Sequence, residues 1–152
     1  MKLVQNVRVN PIIAIVCDEI RHEQDGKPFI IGIYNDGLKI TAQGFGKKRD
    51  QEKAKFLWSF YIWMPIAVLE SGIAVMEMRI SMGGQDAIIE AELSMQVKMP
   101  ATPTQVVPVT IGPLSFPVSQ SGNIHIEFRN KGDEAWQILR VIPVEFNITE
   151  AE

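Results

Sequence analysis

The densest group of side chains able to do chemistry is Asp18, Glu19, Arg21, His22, Glu23 and Asp25. In an extended strand Asp18, Ile20 and His22 share one face and Glu19, Arg21 and Glu23 the other, so a carboxylate and an imidazole stand side by side. An acid–base pair or a metal-assisted hydrolase could be built there. A zinc site needs three or four ligands, however, and Cys17 points away from His22 within the same strand. The second histidine, His125, lies far along the chain and has no partner at ligand spacing. No metal, cofactor or catalytic residue is assigned, and a charged strand end leading into a turn accounts for the cluster.

Other chemistries fail for stated reasons. Cys17 is followed by two acidic residues, which raise a thiol pKa and make a poor nucleophile, so a buried structural cysteine is expected. No Gly-x-Ser-x-Gly elbow presents a serine. Gly44-Phe45-Gly46-Lys47-Lys48 has the glycines and lysine of a phosphate loop, but Thr41 stands where a Walker A loop needs glycine, and Lys48 where it needs Ser or Thr.

Two features remain as binding candidates. Lys47, Lys48, Arg49, Lys53 and Lys55 form a local basic segment, relieved only by Asp50 and Glu52, in a chain of net charge -3. The acidic balance argues against nucleic acid as the partner and leaves an anion or a solvated loop. Immediately after it, Phe56, Trp58, Phe60, Ile62 and Met64 alternate with Leu57, Ser59, Tyr61 and Trp63, so this strand is apolar on both faces. Either its outer face is covered within the chain, by a loop or the N-terminal segment, or Tyr61 and Trp63 form a contact surface for another chain or a ligand.

The elements that must position these residues are strands. Ile89, Ala91, Leu93, Met95, Val97 and Met99 alternate with Glu90, Glu92, Ser94, Gln96 and Lys98, and Ala74, Met76, Met78, Ile80 and Met82 do the same opposite Glu77, Arg79 and Ser81. Gly83-Gly84 between them predicts a hairpin. The pattern predicts strands near 3–9, 12–22, 28–34, 37–41, 56–64, 73–82, 87–98, 105–111, 123–129 and 135–146. Turns are expected at Asp25-Gly26, Asn35-Asp36-Gly37 and Asn130-Lys131-Gly132, and Pro143 should lie at an edge or a bulge. The segment from Lys47 to Lys55 holds helix formers but no apolar stripe, so a loop is expected there.

Many short strands without alternating helices predict an all-β fold, a two-sheet antiparallel β-sandwich of immunoglobulin-like or jelly-roll-like type. The 152 residues, 46% hydrophobic and 22% charged, suit one domain over 1–152 and exclude disorder. A single cysteine excludes an internal disulfide and suits a reducing, cytoplasmic setting. Apolar runs too short to span a bilayer, and the absence of a secretory signal, predict a soluble protein without membrane contact.

Val16-Cys17-Asp18-Glu19, then Arg21, Glu23, Gly26-Lys27 and Gly32-Ile33-Tyr34, resemble the N-terminal hairpin of a family of small, functionally uncharacterised bacterial proteins. The resemblance covers about twenty residues. It implies a bacterial β-sandwich and supplies no mechanism.

Three functions follow as expectations, in order. The first is a non-enzymatic module acting through protein contact, including contact with its own copies, through a sheet edge or the Tyr61/Trp63 face. The second is a small-ligand or anion-binding domain in which Lys47, Lys48 and Arg49 supply charge beside the aromatic strand. The third is a metal-assisted hydrolase on Asp18 and His22.

Overall fold

The computed structural model describes residues 3–24, 27–44, 56–83, 85–99, 101–102 and 106–150; the side chains of 42–44 and 148–150 are outside the description. Ten strands follow one another: β1 (Val9–Pro11), β2 (Ile15–His22), β3 (Pro28–Ile33), β4 (Leu38–Gly44), β5 (Phe56–Val68), β6 (Gly72–Met82), β7 (Ile89–Val97), β8 (Val107–Val118), β9 (Gly122–Asn130) and β10 (Gln137–Glu150). They form a β-sandwich. In one layer, here the β5 sheet, β3, β2 and β5 lie side by side, β1 extends the β2 side, and β8 pairs the other side of β5. In the other, the β6 sheet, the order is β4-β10-β9-β6-β7. No helix among the described residues is long and apolar enough to cross a membrane.

The period-two pattern sorts residues between core and surface. Ala74, Met76, Met78 and Ile80 of β6 and Ile124, Ile126 and Phe128 of β9 are at most 2% exposed, and they face Trp58, Phe60, Ile62, Met64 and Ile66 of β5. Trp58 stacks on Phe60 at 4.1 Å between ring centroids, and Tyr34 meets Trp58 edge-on at 5.1 Å. A side chain such as Phe60, fully enclosed, contributes roughly 1.5–3 kcal/mol by leaving water. Between the layers, the buried Asn130 amide accepts from Val9 N and donates to Val9 O, both at 3.1 Å, and so fastens β1 to the end of β9.

The structure departs from the sequence expectations at identifiable places. The N-terminal segment is not a strand over 3–9. Asn6 takes a left-handed φ of 54°, and Val4 and Val7 instead bracket Ile73 through backbone bonds. The expected β6–β7 hairpin forms, but its ladder ends at Ile80↔Ile89, so the connection is longer than a two-residue turn, and the last residues of β6 pair with β9, Met82 opposite Ile124. Gly84 itself lies outside the described residues, as do Asp25-Gly26.

β8 runs past Ile111 to Val118 despite Pro108, Pro113 and Pro117, because among the described residues it pairs only with β5 and its other side is an edge. One pair, β4 with β10, is parallel. The chain leaves β3, turns at Asn35-Asp36-Gly37 and crosses to the other sheet. Gly37, at φ 113°, passes so close that a Cβ there would lie 2.5 Å from the Pro143 carbonyl oxygen. Pro143 sits one residue before β4 begins pairing with β10, so the missing N–H falls where β10 is still locally an edge, and a bulge lies at Ile138/Arg140.

Candidate functional sites on two outer faces

Residues directly opposite in a β-ladder point the same way, so the registers define both outer faces. On the β5 sheet, Cys17 stands opposite Tyr61 and Ile33, Ile15 opposite Trp63, and Trp63 opposite Thr110. The same face carries Phe29 and Ile31 of β3, Leu57 and Pro65 of β5, and Pro108 and Pro117 of β8. Leu57 is 63% exposed, Phe29 55% and Ile33 47%. Tyr61 and Trp63 are half-buried, and Cys17 is fully enclosed among them. Along β5 and β8 this face has no charged side chain, and its polar residues there are Ser59, Thr110 and Ser115. On β2, Glu19 stands opposite Ile31 and Arg21 opposite Phe29, and the two are bonded to each other at 2.9 Å.

Local features shape the surface. β8 has one extra residue at Gly112-Pro113, where the register shifts opposite Tyr61. Gly112 has φ 132°, and a Cβ there would approach Tyr61 Cδ1 to 2.9 Å, so the glycine lets the tyrosine ring lie against the backbone. The indole nitrogen of Trp63 is buried and has no hydrogen-bond partner among the described residues, so the residue presents its ring to the face rather than its donor. Cys17 Sγ lies 3.7 Å from the Tyr61 carbonyl oxygen; burial first, then the Asp18 charge, pushes its thiol pKa up. A thiol held neutral in this way is a packing residue, as expected from the sequence.

The outer face of the β6 sheet has the opposite chemistry. Glu77 faces Arg129 and Arg79 faces Glu127 across the β6–β9 ladder. Both pairs are bonded, Arg79 to Glu127 Oε2 at 2.7 and 3.1 Å, Arg129 to Glu77 Oε2 at 3.0 and 3.3 Å. Both guanidinium groups also lie over the Trp136 ring, 4.3 and 4.2 Å from its centroid, which combines ion pairing with cation–π attraction. Glu90 and Glu92 of β7 continue the charged face, and Lys131 reaches Glu92 at 3.3 Å. Two open hollows lie along it and share Glu90. One, of about 320 Å³, runs beside Trp136, Arg129 and Glu92; the other, of about 460 Å³, lies beside Ser81, His125 and Asp86.

The polar cluster around Asp18 and His22 does not assemble into a centre. Tyr34 donates its hydroxyl to Asp18 Oδ1, and Gly32, at φ 70°, leaves the space that the Asp18 carboxylate occupies. Burial first, then this bond, raises the Tyr34 pKa; the nearby Trp58 indole opposes the shift without closing a hydrogen bond of normal geometry. His22 pairs with Pro28 at the exposed end of the hairpin. Among the described residues no group of three or more His, Cys, Asp or Glu side chains is placed to hold a metal ion. Lys47, Lys48 and Arg49 lie outside the described residues, as does the rest of the Lys47–Lys55 segment.

Sequence reasoning missed the Arg79/Arg129/Trp136 arrangement and set His125 aside. The signal that could have found them is cross-strand: aligning Glu77-Met78-Arg79 against Glu127-Phe128-Arg129 in antiparallel register pairs every charge with its opposite. No protein-family model matches the chain, and no curated protein matches it significantly.

Proposed function

We propose that the protein is a non-enzymatic contact module that pairs with a second copy of itself through the outer face of the β5 sheet. The observation that carries this reading is an apolar face, uncharged along β5 and β8, on which Leu57 and Phe29 are more than half exposed. Exposed apolar side chains gathered on one sheet face are a feature of contact sites. Its neutrality favours a second copy as occupant, because a face without net charge meets itself without like-charge repulsion, whereas a distinct partner is ordinarily selected by complementary charge. The three prolines of β8 remove donors from the sheet edge, which disfavours edge-to-edge strand pairing and favours face-to-face packing.

The small-ligand or anion-binding alternative would use the aromatic strand from Phe56 to Met64 as platform and take its charge from Lys47, Lys48 and Arg49, which lie outside the described residues. Membership of the bacterial family that the N-terminal hairpin resembles, and a cytoplasmic setting in keeping with the lone, enclosed thiol of Cys17, belong to the same proposal.

Light scattering over a dilution series tests the reading. The expected mass is twice that of the 17.1 kDa chain at high concentration, falling toward the single-chain value on dilution. A single-chain mass throughout overturns it.

A further inference from the structure

The larger hollow on the charged face has features that the contact reading does not use. Its charged lining consists of Arg79, Asp86, Glu90 and Glu127, with Ser81 and His125 at its base. Arg79 and Glu127 are bonded to each other. Asp86 and Glu90 make no ion pair among the described residues, although Glu90 stands opposite Arg79 in the β6–β7 register, so one guanidinium faces three carboxylates and the hollow carries a net negative charge. Ser81 is only 6% exposed and lies directly opposite His125 in the β6–β9 register. Its hydroxyl makes no hydrogen bond with any described residue, yet it lines the hollow. The side chain is nine-tenths buried, yet its hydroxyl opens into the hollow with no described partner, so it is a fixed polar group available to whatever occupies that space.

The walls are preformed. The loop after β6 is tied down by Gly83 N to Asn123 O at 2.7 Å, Gln85 N to Met82 O at 3.0 Å and Ile88 N to Ile80 O at 3.0 Å. The His125 ring packs against Gly83 so closely that a Cβ there would lie 2.9 Å from Nε2. A volume of about 460 Å³ falls in the usual range of small-molecule sites. Its negative charge selects a cation, and the absence among the described residues of three gathered ligands leaves an organic cation rather than a metal ion.

We infer that this hollow binds a small organic cation bearing a guanidinium or ammonium group, whose charge meets Asp86 and Glu90 and whose N–H donates to Ser81 Oγ. The group comes either from a free amine or from a basic side chain presented by a polypeptide. The site lies on the opposite side of the sandwich from the proposed contact face, so each stands or falls separately.

Isothermal titration of the full chain at low salt, with agmatine, putrescine, Nα-acetyl-arginine amide and neutral 1,4-butanediol as probes, tests the site. Saturable binding of the cations but not the diol is expected, together with a shift of the His125 ring-proton signals. The Asp86→Asn/Glu90→Gln double variant should weaken binding at least tenfold, since charge-assisted bonds are the strong ones. Ser81→Ala should weaken it several-fold. Tighter binding of agmatine than of the arginine amide assigns the group to a free amine, and the reverse order to a polypeptide. Asp86 and Glu90 are exposed, and an unchanged circular-dichroism melt of the double variant confirms that its fold is intact. No saturable cation binding, binding that the double variant leaves unchanged, or an unmoved His125 signal overturns the inference.

Discussion

The two outer faces of this sandwich solve the same problem differently. On the β6 sheet many of the side chains that point away from the core are charged, and several are paired, Glu77 with Arg129 and Arg79 with Glu127 across the ladder and Glu92 with Lys131 of the turn after β9. Such a face is satisfied in water. On the β5 sheet the outward positions include Leu57, Tyr61, Trp63, Phe29 and Ile33, which gain free energy on leaving water, beside the uncharged Ser59, Thr110 and Ser115 and the ion-paired Glu19 and Arg21. The contrast teaches that the outer face, where folding imposes little, is free to differ between the two sheets, and it is the more apolar β5 face that is proposed to meet a second copy.

The largest expected effect comes from placing a charge on the apolar face. Leu57→Glu should weaken self-association by more than about a hundredfold, because an isolated carboxylate buried in an interface is strongly disfavoured. Ser94→Glu, on the outward side of β7, should leave the mass unchanged; sedimentation velocity of both variants reads the difference. An equal loss in the two would erase the distinction between the faces.

On the charged face the expected effects are on stability. Glu127 is only 9% exposed, and Glu127→Ala leaves the Arg79 guanidinium half-buried without its carboxylate, which should cost about 1–3 kcal/mol in urea unfolding. Arg79→Ala in the same background should restore part of the loss, whereas additive losses would show that the pair is not coupled.

The enclosed thiol gives the β5 face a pH signature. Because burial raises the Cys17 pKa in the fold, the unfolded chain releases its proton first as pH rises past about 8.5. The unfolded state then binds fewer protons than the folded one, so stability is fully present below that pH and falls above it, by up to about 1.4 kcal/mol per pH unit while the difference lasts. Cys17→Ala should flatten this alkaline limb in thermal melts, and an unchanged slope would place the titrating group elsewhere. The smallest effect is expected at Trp63. Its buried indole N–H lacks a partner, so Trp63→Phe should change stability by less than about 1 kcal/mol in either direction, as offsetting packing and desolvation would give.

Much of the fold was legible because strand period is a strong signal when one face is buried. β6, β7 and β9 lie within a few residues of their expected positions, since each alternates without interruption. What was not legible depended on pairing. The parallel β4–β10 contact arises from a crossover that the short run near 37–41 does not announce, and the extension of β8 through three prolines makes sense only once that strand is known to be an edge. The double-sided apolar pattern of Phe56 to Met64 correctly singled out an unusual strand, while leaving open whether its outer side was covered. Leu57 and the half-buried Tyr61 and Trp63 show that it is covered only in part. Ser81 and His125 were invisible as neighbours because cross-strand register, not sequence spacing, brings them together.

The central claim is that the β5 face, and no other, meets a second copy. Isotope-filtered NMR on a mixture of labelled and unlabelled chains tests it most directly, because it records only contacts between copies. The account predicts intermolecular contacts from the side chains of Phe29, Leu57, Tyr61 and Trp63. Contacts arising instead from Trp136 and the β7 edge, or none at concentrations where light scattering shows two chains together, would contradict it.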